Sequence, residues 1–428
     1  MNARAFLEEL FRTAVAAAHP ATCLAPHLPA PPGTGRLIVL VAGKAAGSMT
    51  EVAERHYLDA MKVPQSRLTG LAVTRRGYAC PTRILPVIEA GHPVPDQASL
   101  AAAATTLALA DQAGEDDLVL VLMSGGASAN WIAPAPGLAL AEKQAVTRAL
   151  LRSGAAIGEI NTVRKHLSQI KGGRLAARAY PARVVTLAIS DVPGDDPAVI
   201  GSGPTVPDPS TLAEARAIVA QRRLDLPAAV LRALADPANE TPKPGDPVFA
   251  RCEFHLVARP ADAFAAVQAK VEAAGLEPIF LGDRVEGEAR DVAAAHARLA
   301  RDIQAQGRRA VILSGGELTV TLQGRGRGGP NQEYALALAG ALAGARGIAA
   351  LAADTDGTDG GAGEADDPAG ALIDETTLGR AQSRGLDPAA FLSDNDSTGF
   401  FSRLGDLLTP GPTATNVNDF RAIVVDRP

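Results

Sequence analysis

Short, continuous apolar runs alternate along the chain with longer segments in which apolar residues recur every three or four positions. In the first half, the apolar runs predict strands at 37–41, 70–74, 118–123 and 184–190. A strand that is apolar at every position is buried on both faces, which is typical of parallel sheets covered by helices. The first half is therefore predicted to form an α/β domain with three layers around a parallel sheet.

The second half repeats this alternation after a linker rich in proline and charged residues at 236–250. Two of its predicted strands, 310–313 and 318–323, are separated by a short glycine turn. So short a connection favours an antiparallel pair, and hence a smaller α/β domain with a mixed sheet. We assign residues 1–245 to the first domain and residues 246–428 to the second.

The N-terminal residues 3–18 predict an amphipathic helix that could pack on either domain. They lack the long apolar core and cleavage site of a signal peptide, and no apolar run approaches the roughly 20 residues that span a bilayer. The three cysteines are scattered, which indicates a reducing compartment. We therefore expect a cytoplasmic protein without a membrane partner.

The most informative pattern is an apolar strand that runs directly into glycines. It occurs at Ser124, Gly125 and Gly126, again at Ser314, Gly315, Gly316 and Glu317, and in a variant form at Gly43 and Lys44. Glycine lets backbone N–H groups approach a ligand closely, and such turns at strand ends hold phosphates in α/β proteins. The alternatives are a strand-to-helix turn without a ligand and, for Lys44, a surface lysine. We favour a site for a phosphorylated or anionic small molecule.

Composition narrows the function classes further. Aromatic residues make up only 4% of the 428 residues, so little surface is offered for stacking nucleic-acid bases. The net charge is −6 and no basic tract stands out, which argues against a nucleic-acid partner. The sequence leaves open whether the chain forms a homo-oligomer.

Two polar segments of the first half add candidate residues. The segment 159–178 predicts a helix with a basic face, whose candidate ligand-binding residues are Asn161, Arg164, Lys165 and Lys171. Asp191 and Asp195 follow the strand at 184–190, where carboxylates could hold Mg²⁺, and Gly203 lies in the glycine-rich stretch beyond them. A solvated basic helix face and an Asx turn with exposed acids are the alternatives.

The second half carries the remaining candidates in three polar segments. Arg325 and Arg327 alternate with glycines, which makes them mobile cations able to close on an anion. The other candidate ligand-binding residues of this half are Asn331, Asp356 and Asn416.

These segments together resemble one known family, the class II glycerate kinases with a C-terminal MOFRL domain. The resemblance rests on NTVRKHLSQIKGGRLA, SDVPGDDPAVIGSGPTVPDPST, SGGELTVTLQGRGRGGPNQE, ADTDGTDG and GPTATNVND, which span both halves. It implies a Rossmann-like first domain, a smaller mixed α/β MOFRL domain and a cleft between them. Members of the family commonly carry an aromatic residue after Asn-Asp-Ser, where this chain has Thr398.

The resemblance also implies an activity, the phosphorylation of glycerate by ATP with a divalent metal such as Mg²⁺, at the 2-hydroxyl to give 2-phosphoglycerate. Lys44 matches the family's strand-end lysine, and Arg325 and Arg327 fall in its basic loop. On this reading Lys44 and Arg325 are catalytic, because they counter the charge on the transferred phosphoryl group. Asp191 is a base or, with Asp195, a metal ligand.

Three alternatives remain open. One is a hydroxypyruvate reductase that uses NAD(P)H, although the glycine fingerprint for a nicotinamide cofactor is missing. The others are a kinase for a closely related hydroxy acid and a sensor that has lost turnover.

Overall fold

A computed structural model describes residues 2–343, 345–361 and 364–428. The chain forms two compact units: an N-terminal unit of Cys23–Val257, and a C-terminal unit in which the residues up to Thr22 join Ala258–Pro428. None of the helices in the described residues combines the length and the apolar character needed to cross a membrane.

The N-terminal unit is built on a six-stranded sheet. The chain begins with helices α1 (Ala3–Ala18) and α2 (Pro20–Cys23). The strands of the first sheet are β1 (Leu37–Ala42), β2 (Leu68–Arg75), β3 (Val87–Ala90), β4 (Leu118–Met123), β5 (Arg183–Ile189) and β6 (Cys252–Ala258). The helices of the unit are α3 (Ala46–Glu54), continued by a π-helical turn at Arg55–Ala60, α4 (Gln97–Asp111), α5 (Ala127–Asn130), α6 (Leu140–Arg152), α7 (Ile157–His166), α8 (Arg174–Ala179), α9 (Leu212–Gln221) and α10 (Ala228–Ala235).

The strand order of this sheet is β3-β2-β1-β4-β5-β6, and the pairs from β3 to β5 are all parallel. Every residue of β1 and β4 is buried, because these central strands are covered by helices on both faces. The parallel sheet predicted from the apolar runs is therefore confirmed. All five parallel strands end at the same edge of the sheet, where the loops that follow them meet.

The C-terminal unit contains a second six-stranded sheet and a two-stranded one. Its strands are β7 (Glu277–Phe280), β8 (Gly287–Glu288), β9 (Ala310–Ser314), β10 (Leu318–Thr319), β11 (Ile348–Asp354), β12 (Gly370–Ile373), β13 (Leu407–Leu408) and β14 (Asp419–Val425). Its helices after α1 are α11 (Pro260–Ala273), α12 (Ala289–Ala305), α13 (Pro330–Ala341), α14 (Thr377–Ser383), α15 (Pro388–Ser393) and α16 (Ser397–Leu404).

The main sheet has the order β13-β12-β11-β14-β9-β7 and is mixed, as predicted, but the predicted reason is wrong. Strand β9 pairs antiparallel with β14 and parallel with β7. Strand β10, expected beside β9, instead pairs parallel with β8 in the separate small sheet. The glycine turn between β9 and β10 therefore carries the chain out of the main sheet.

Two further elements differ from the sequence prediction. The helix expected at 159–178 is two helices, α7 and α8, separated at 167–173 by a turn in which Gly172 and Gly173 have positive φ angles of 60° and 81°. The unit boundary lies between Val257 and Ala258, at the end of β6, which completes the first sheet, and so falls after the predicted linker.

Helix α1 belongs to the C-terminal unit, whereas the domain assignment placed it with the first domain. Its buried face, which includes Phe6, Leu10 and Phe11, packs on α11, β11 and β14. Arg4 adds ion pairs of 2.8 Å to Asp374 and 2.7 Å to Asp406.

Candidate active site

The loops that follow two neighbouring parallel strands, β1 and β4, interlock at the carboxyl edge of the first sheet. The backbone N–H of Lys44, after β1, donates to the carbonyl of Gly125, after β4, at 2.8 Å. The Ser124 hydroxyl accepts the backbone N–H of Ala45 at 2.9 Å. Gly43 packs so closely on Ser124 that an added Cβ would collide with it. The two turns predicted to bind an anion therefore form one structure.

Gly126 supplies the left-handed residue that this turn requires, with φ at +85°. An added Cβ at Gly126 would lie 2.9 Å from Nε2 of His92 and 3.4 Å from Cγ of Lys44. The stem of Lys44 and the imidazole of His92 thus lie side by side over the turn. Any larger residue at position 126 would push both away and would also strain the backbone.

Ser128, at the beginning of α5, joins the turn to a group of basic side chains. Its hydroxyl accepts hydrogen bonds from Nη2 of Arg164 at 2.8 Å and from Nζ of Lys171 at 2.7 Å. Since these donors use both lone pairs, the Ser128 hydroxyl must donate its own proton to Ser202, 3.0 Å away. Two cations and two loops are therefore fixed by one hydroxyl.

The basic cluster consists of Arg164, Lys171 and a residue the sequence did not single out, Lys143. The ammonium of Lys143 caps the end of α7 by donating to the carbonyls of Arg164 at 2.6 Å and Leu167 at 2.7 Å. Lys143 and Lys171 are only 2% and 1% exposed. Within the described residues, no carboxylate lies at ion-pair distance from any of the three.

Burial lowers the pKa of all three basic groups. The pKa of Lys171 falls well below its ordinary value because the ammonium is desolvated and faces the charges of Arg164 and Lys143. Burial and the charge of Arg164 likewise lower the pKa of Lys143. Burial also lowers the pKa of Arg164. An anion bound here would relieve this destabilisation, which makes the cluster electrostatically suited to one.

Lys165, grouped with these cations by the sequence, is separated from them in the structure. Its ammonium forms a buried ion pair with Asp208 at 3.2 Å, and Asp208 also accepts the hydroxyl of Thr241 at 3.1 Å. The end of α7 turns Lys165 toward Asp208 while Arg164 reaches Ser128. Asn161 is buried within α7, one turn before Lys165.

The loop after β5 reaches the same edge of the sheet. Gly172 and Gly173 donate to the carbonyls of Ser202 at 3.0 Å and Gly203 at 2.7 Å, so Gly203 joins this loop to the turn after α7. Asp195 has a positive φ of 56°, and its buried Oδ1 has no hydrogen-bond partner in the described structure. Asp191 directly follows Ser190 at the end of this strand and is partly buried.

In the C-terminal unit, a buried arginine holds the second Ser-Gly-Gly turn through hydrogen bonds to its backbone. Arg421 on β14 donates to the carbonyls of Gly315 at 2.6 Å and Gly316 at 2.9 Å. It also pairs with Asp419 at 2.9 Å and is 1% exposed. Glu317, at the end of the turn, is exposed.

Asn331 belongs to a buried polar network at the start of α13. Its side-chain amide donates to Asp419 at 2.7 Å and to Asp359 at 3.2 Å. The carboxylate of Asp359 also accepts the backbone N–H groups of Asn331 at 3.0 Å and Gln332 at 2.9 Å. Burial and the nearby Asp419 nevertheless raise the pKa of Asp359 to about 7. The side chain of Gln332 in turn accepts the hydroxyl of Thr398 at 2.7 Å.

The loop with Arg325 and Arg327 is held through its backbone, so its side chains stay exposed. The N–H of Arg325 donates to Asp394 at 2.9 Å, and that of Arg327 donates to Asp396 at 3.1 Å. The guanidinium of Arg327 approaches Asp367 at 3.4 Å.

The two remaining candidates, Asp356 and Asn416, are buried and hold local turns. Asp356 accepts the backbone N–H of Thr358 at 2.8 Å, and Asn416 accepts that of Asn418 at 3.1 Å.

Sequence reasoning missed several polar residues at these sites. His92 stands just after the end of β3, the same kind of position that identified Lys44. Arg421 interrupts an apolar strand, which is a recognisable signal because an isolated charge is costly to bury. Lys143 carries no comparable signal, since only the tertiary structure buries it.

Comparisons with known proteins agree with this architecture. Residues 6–235 match the family described as Domain of unknown function (DUF4147), and residues 310–419 match the MOFRL family. The D-glycerate 2-kinase of Thermotoga maritima is 39% identical over 389 residues, which cover 90% of this chain and 89% of that protein. A protein of Agrobacterium vitis, named only provisionally as a hydroxypyruvate reductase, is 48% identical over 99% of this chain and 95% of its own length.

A solved structure gives the same result. The crystal structure of glycerate kinase from Thermotoga maritima matches with a TM-score of 0.85 and 36% identity, over 99% of both chains. The two family matches, the D-glycerate 2-kinase and this structure lead to one conclusion: the chain belongs to the class II glycerate kinase family.

Proposed function

We propose that this protein is an ATP-dependent kinase that phosphorylates glycerate at its 2-hydroxyl and releases 2-phosphoglycerate. Relatives named glycerate 2-kinase or glycerate kinase support the reaction. The observation that carries the proposal is the basic surroundings of the turn from Ser124 to Ser128, where Lys44, Arg164 and Lys171 lie close to the turn. Among the described residues, no carboxylate lies at ion-pair distance from Arg164 or from Lys171.

The glycines of this turn and the cations around it would each supply something that phosphoryl transfer requires. Gly125 and Gly126 give the backbone the close approach that phosphate oxygens need. Lys44 has a long, flexible stem, so its ammonium can follow the charge as it moves during transfer. Arg164 offers a planar fork suited to a carboxylate or a phosphate. Lys171 supplies a positive potential from beneath the turn.

The residues present are compatible with a magnesium ion, which phosphoryl transfer commonly uses to neutralise phosphate charge. Asp191 and Asp195 would hold it, and a cation would satisfy the buried Oδ1 of Asp195. Among the described residues, no group of three or more acidic, histidine or cysteine side chains could bind a metal. Mg²⁺ needs no such cage, since it is often held by one or two carboxylates with waters and substrate phosphates.

The C-terminal unit contributes the exposed arginines of the 324–328 loop. Arg325 is proposed as the catalytic arginine of this unit and Arg327 as a binding residue, because both side chains remain accessible while their backbone is fixed. Gly315, Gly316, Glu317 and Asn331 are proposed to shape the adjoining turn. The buried Asp356 and Asn416 would then act by holding local turns, without touching a ligand.

The test is ADP release measured with ATP, Mg²⁺ and a panel of small hydroxy acids that includes both glycerate enantiomers, tartronate and erythronate. We expect glycerate to give the highest kcat/KM, with phosphorus NMR locating the new phosphate at the 2-position. A relative named as a hydroxypyruvate reductase makes a parallel assay with hydroxypyruvate and NADH or NADPH necessary. Oxidation of the nicotinamide without any ADP release would overturn the proposal.

A further inference from the structure

One titratable residue, His92, lies at the turn from Ser124 to Ser128 but has no role in the function proposed above. His92 lies in the loop 91–96, between β3 and α4, and is partly buried. Strand β3 is parallel to β2, so its carboxyl end lies at the same edge as Lys44 and Ser124. The topology of the sheet therefore delivers His92 to this site from a fourth strand.

The position of the imidazole is defined by its contact with the turn. Both Nε2 and Cδ2 of His92 lie within 3.0 Å of where a Cβ on Gly126 would stand, at 2.9 and 3.0 Å. The corresponding distance to Cγ of Lys44 is 3.4 Å. The edge of the ring, including one nitrogen, thus faces the α-carbon of the residue around which the turn is built.

The loop that carries His92 is anchored at its far end. Asp96 caps α4 by accepting the backbone N–H of Ser99 at 3.0 Å, and it pairs with Arg76 at 2.7 Å. The carbonyl of Pro95 accepts the side chain of Gln144 at 3.0 Å. A side chain held on an anchored loop can provide a preorganised contact, which a surface histidine on a mobile loop cannot.

We propose that His92 is a further ligand-contacting residue of this site, whose imidazole donates a hydrogen bond to the anion bound over the turn from Ser124 to Gly126. Lys44 is a point charge on a flexible stem, whereas the imidazole is a rigid, directional donor. The pair would therefore both attract the anion and orient it. This inference rests on the proposed phosphate role of the turn, and it adds the residue that orients the ligand there.

The direct test follows the histidine side chains by ¹⁵N NMR at one fixed pH while inorganic pyrophosphate is added to the full-length protein. The signal absent from a His92→Gln variant identifies His92. We expect this signal to shift with a saturable dependence on pyrophosphate. The signal of His255, which is exposed on β6, should not move. A His92 signal that stays fixed while calorimetry shows pyrophosphate binding would overturn the inference.

The kinetic test compares His92→Gln and His92→Ala with the matched control His255→Gln. We expect both His92 variants to raise KM for ATP or glycerate by about tenfold or more, the loss of one charge-assisted hydrogen bond. Their urea unfolding midpoints should match the wild type. Unchanged KM and kcat in both variants would refute a ligand contact.

The two tests separate this inference from the proposed function. If pyrophosphate shifts the His92 signal but wild-type protein does not phosphorylate glycerate, the glycerate kinase proposal fails and His92 remains an anion ligand. If glycerate is phosphorylated equally well without His92, only this inference fails. Wild-type protein that neither binds pyrophosphate nor releases ADP would overturn both.

Discussion

Replacing Lys171 with methionine should weaken anion binding while leaving the fold stable. The ammonium of Lys171 is buried next to the turn from Ser124 to Ser128 and donates to the carbonyl and the hydroxyl of Ser128, both at 2.7 Å. It faces the charges of Arg164 and Lys143. Methionine has a similar length and shape, so the substitution removes the charge and its hydrogen bonds with little change in packing.

The substitution changes the free energy of unfolding in two opposing ways: it removes hydrogen bonds, and it removes a buried charge. Each hydrogen bond from a charged donor contributes about 1.5–3 kcal/mol. Taking an ammonium out of water without a counterion costs several kcal/mol, which the variant regains. We therefore expect the free energy of unfolding of Lys171→Met to lie within about 2 kcal/mol of the wild type, with a gain as readily as a loss.

For anion binding, in contrast, loss of the positive charge can only lower the affinity. A unit charge about 6 Å from a phosphate, at an effective dielectric constant of about 20, contributes about 3 kcal/mol. Loss of that attraction weakens binding roughly 100-fold. The bound anion also favours the charged lysine, whose pKa is lowered in the free protein by burial. Pyrophosphate binding should therefore take up a proton, and affinity should fall as the pH rises through that lowered pKa.

Calorimetry with pyrophosphate in two buffers of different ionisation enthalpy measures both the affinity and the proton uptake, and urea denaturation measures the stability. The exposed Lys62→Met is the control for removing one positive charge from the same unit. A Lys171→Met protein that is several kcal/mol less stable, yet binds pyrophosphate as the wild type does, would refute the reasoning. Lys171 would then be a structural cation only.

Three further predictions concern other residues of the two units. Lys44→Ala should lower kcat by orders of magnitude without changing the thermal midpoint, and unchanged turnover in the ADP-release assay would remove Lys44 from the mechanism. Arg421→Met should destabilise the protein by about 3–5 kcal/mol in urea, because it leaves Asp419 buried without its cation; a smaller loss would mean that Asp419 is protonated in the variant. The free energy of unfolding of wild type should exceed that of Asp359→Asn by the largest amount below about pH 4, and this difference should decline up to about pH 7. The pKa of the Asp359 carboxyl is raised to about 7, so the folded state holds this proton more tightly than the unfolded chain does. The stabilisation is lost as the carboxyl of the folded protein loses the proton. Unfolding free energies measured across that range would contradict this if the difference were constant or increased with pH.

Much of the fold follows from the sequence because burial on both faces of a sheet leaves a readable pattern. The fully apolar strands β1 and β4, with the largely apolar β5, identified the parallel sheet of the N-terminal unit. The prediction for β10 failed because a short turn restricts the path of the chain without selecting the neighbouring strand. The prediction of one helix at 159–178 was wrong because Gly172 and Gly173 adopt positive φ angles, which interrupt a helix. The periodicity of the side chains does not by itself reveal this interruption.

The features of the candidate site also fall into two groups: those that the sequence alone identified and those that only the structure revealed. Sequence alone determined that glycine turns follow buried strands and that Lys44 stands at one of them, because these features depend on neighbours in the chain. Only the tertiary structure decided which charges meet: Lys165 pairs with Asp208 across 43 positions of sequence, while Lys171 and Arg164 converge on Ser128. The physical reason is that the ionic partners of a buried group are chosen by packing between distant segments, which residue spacing does not encode.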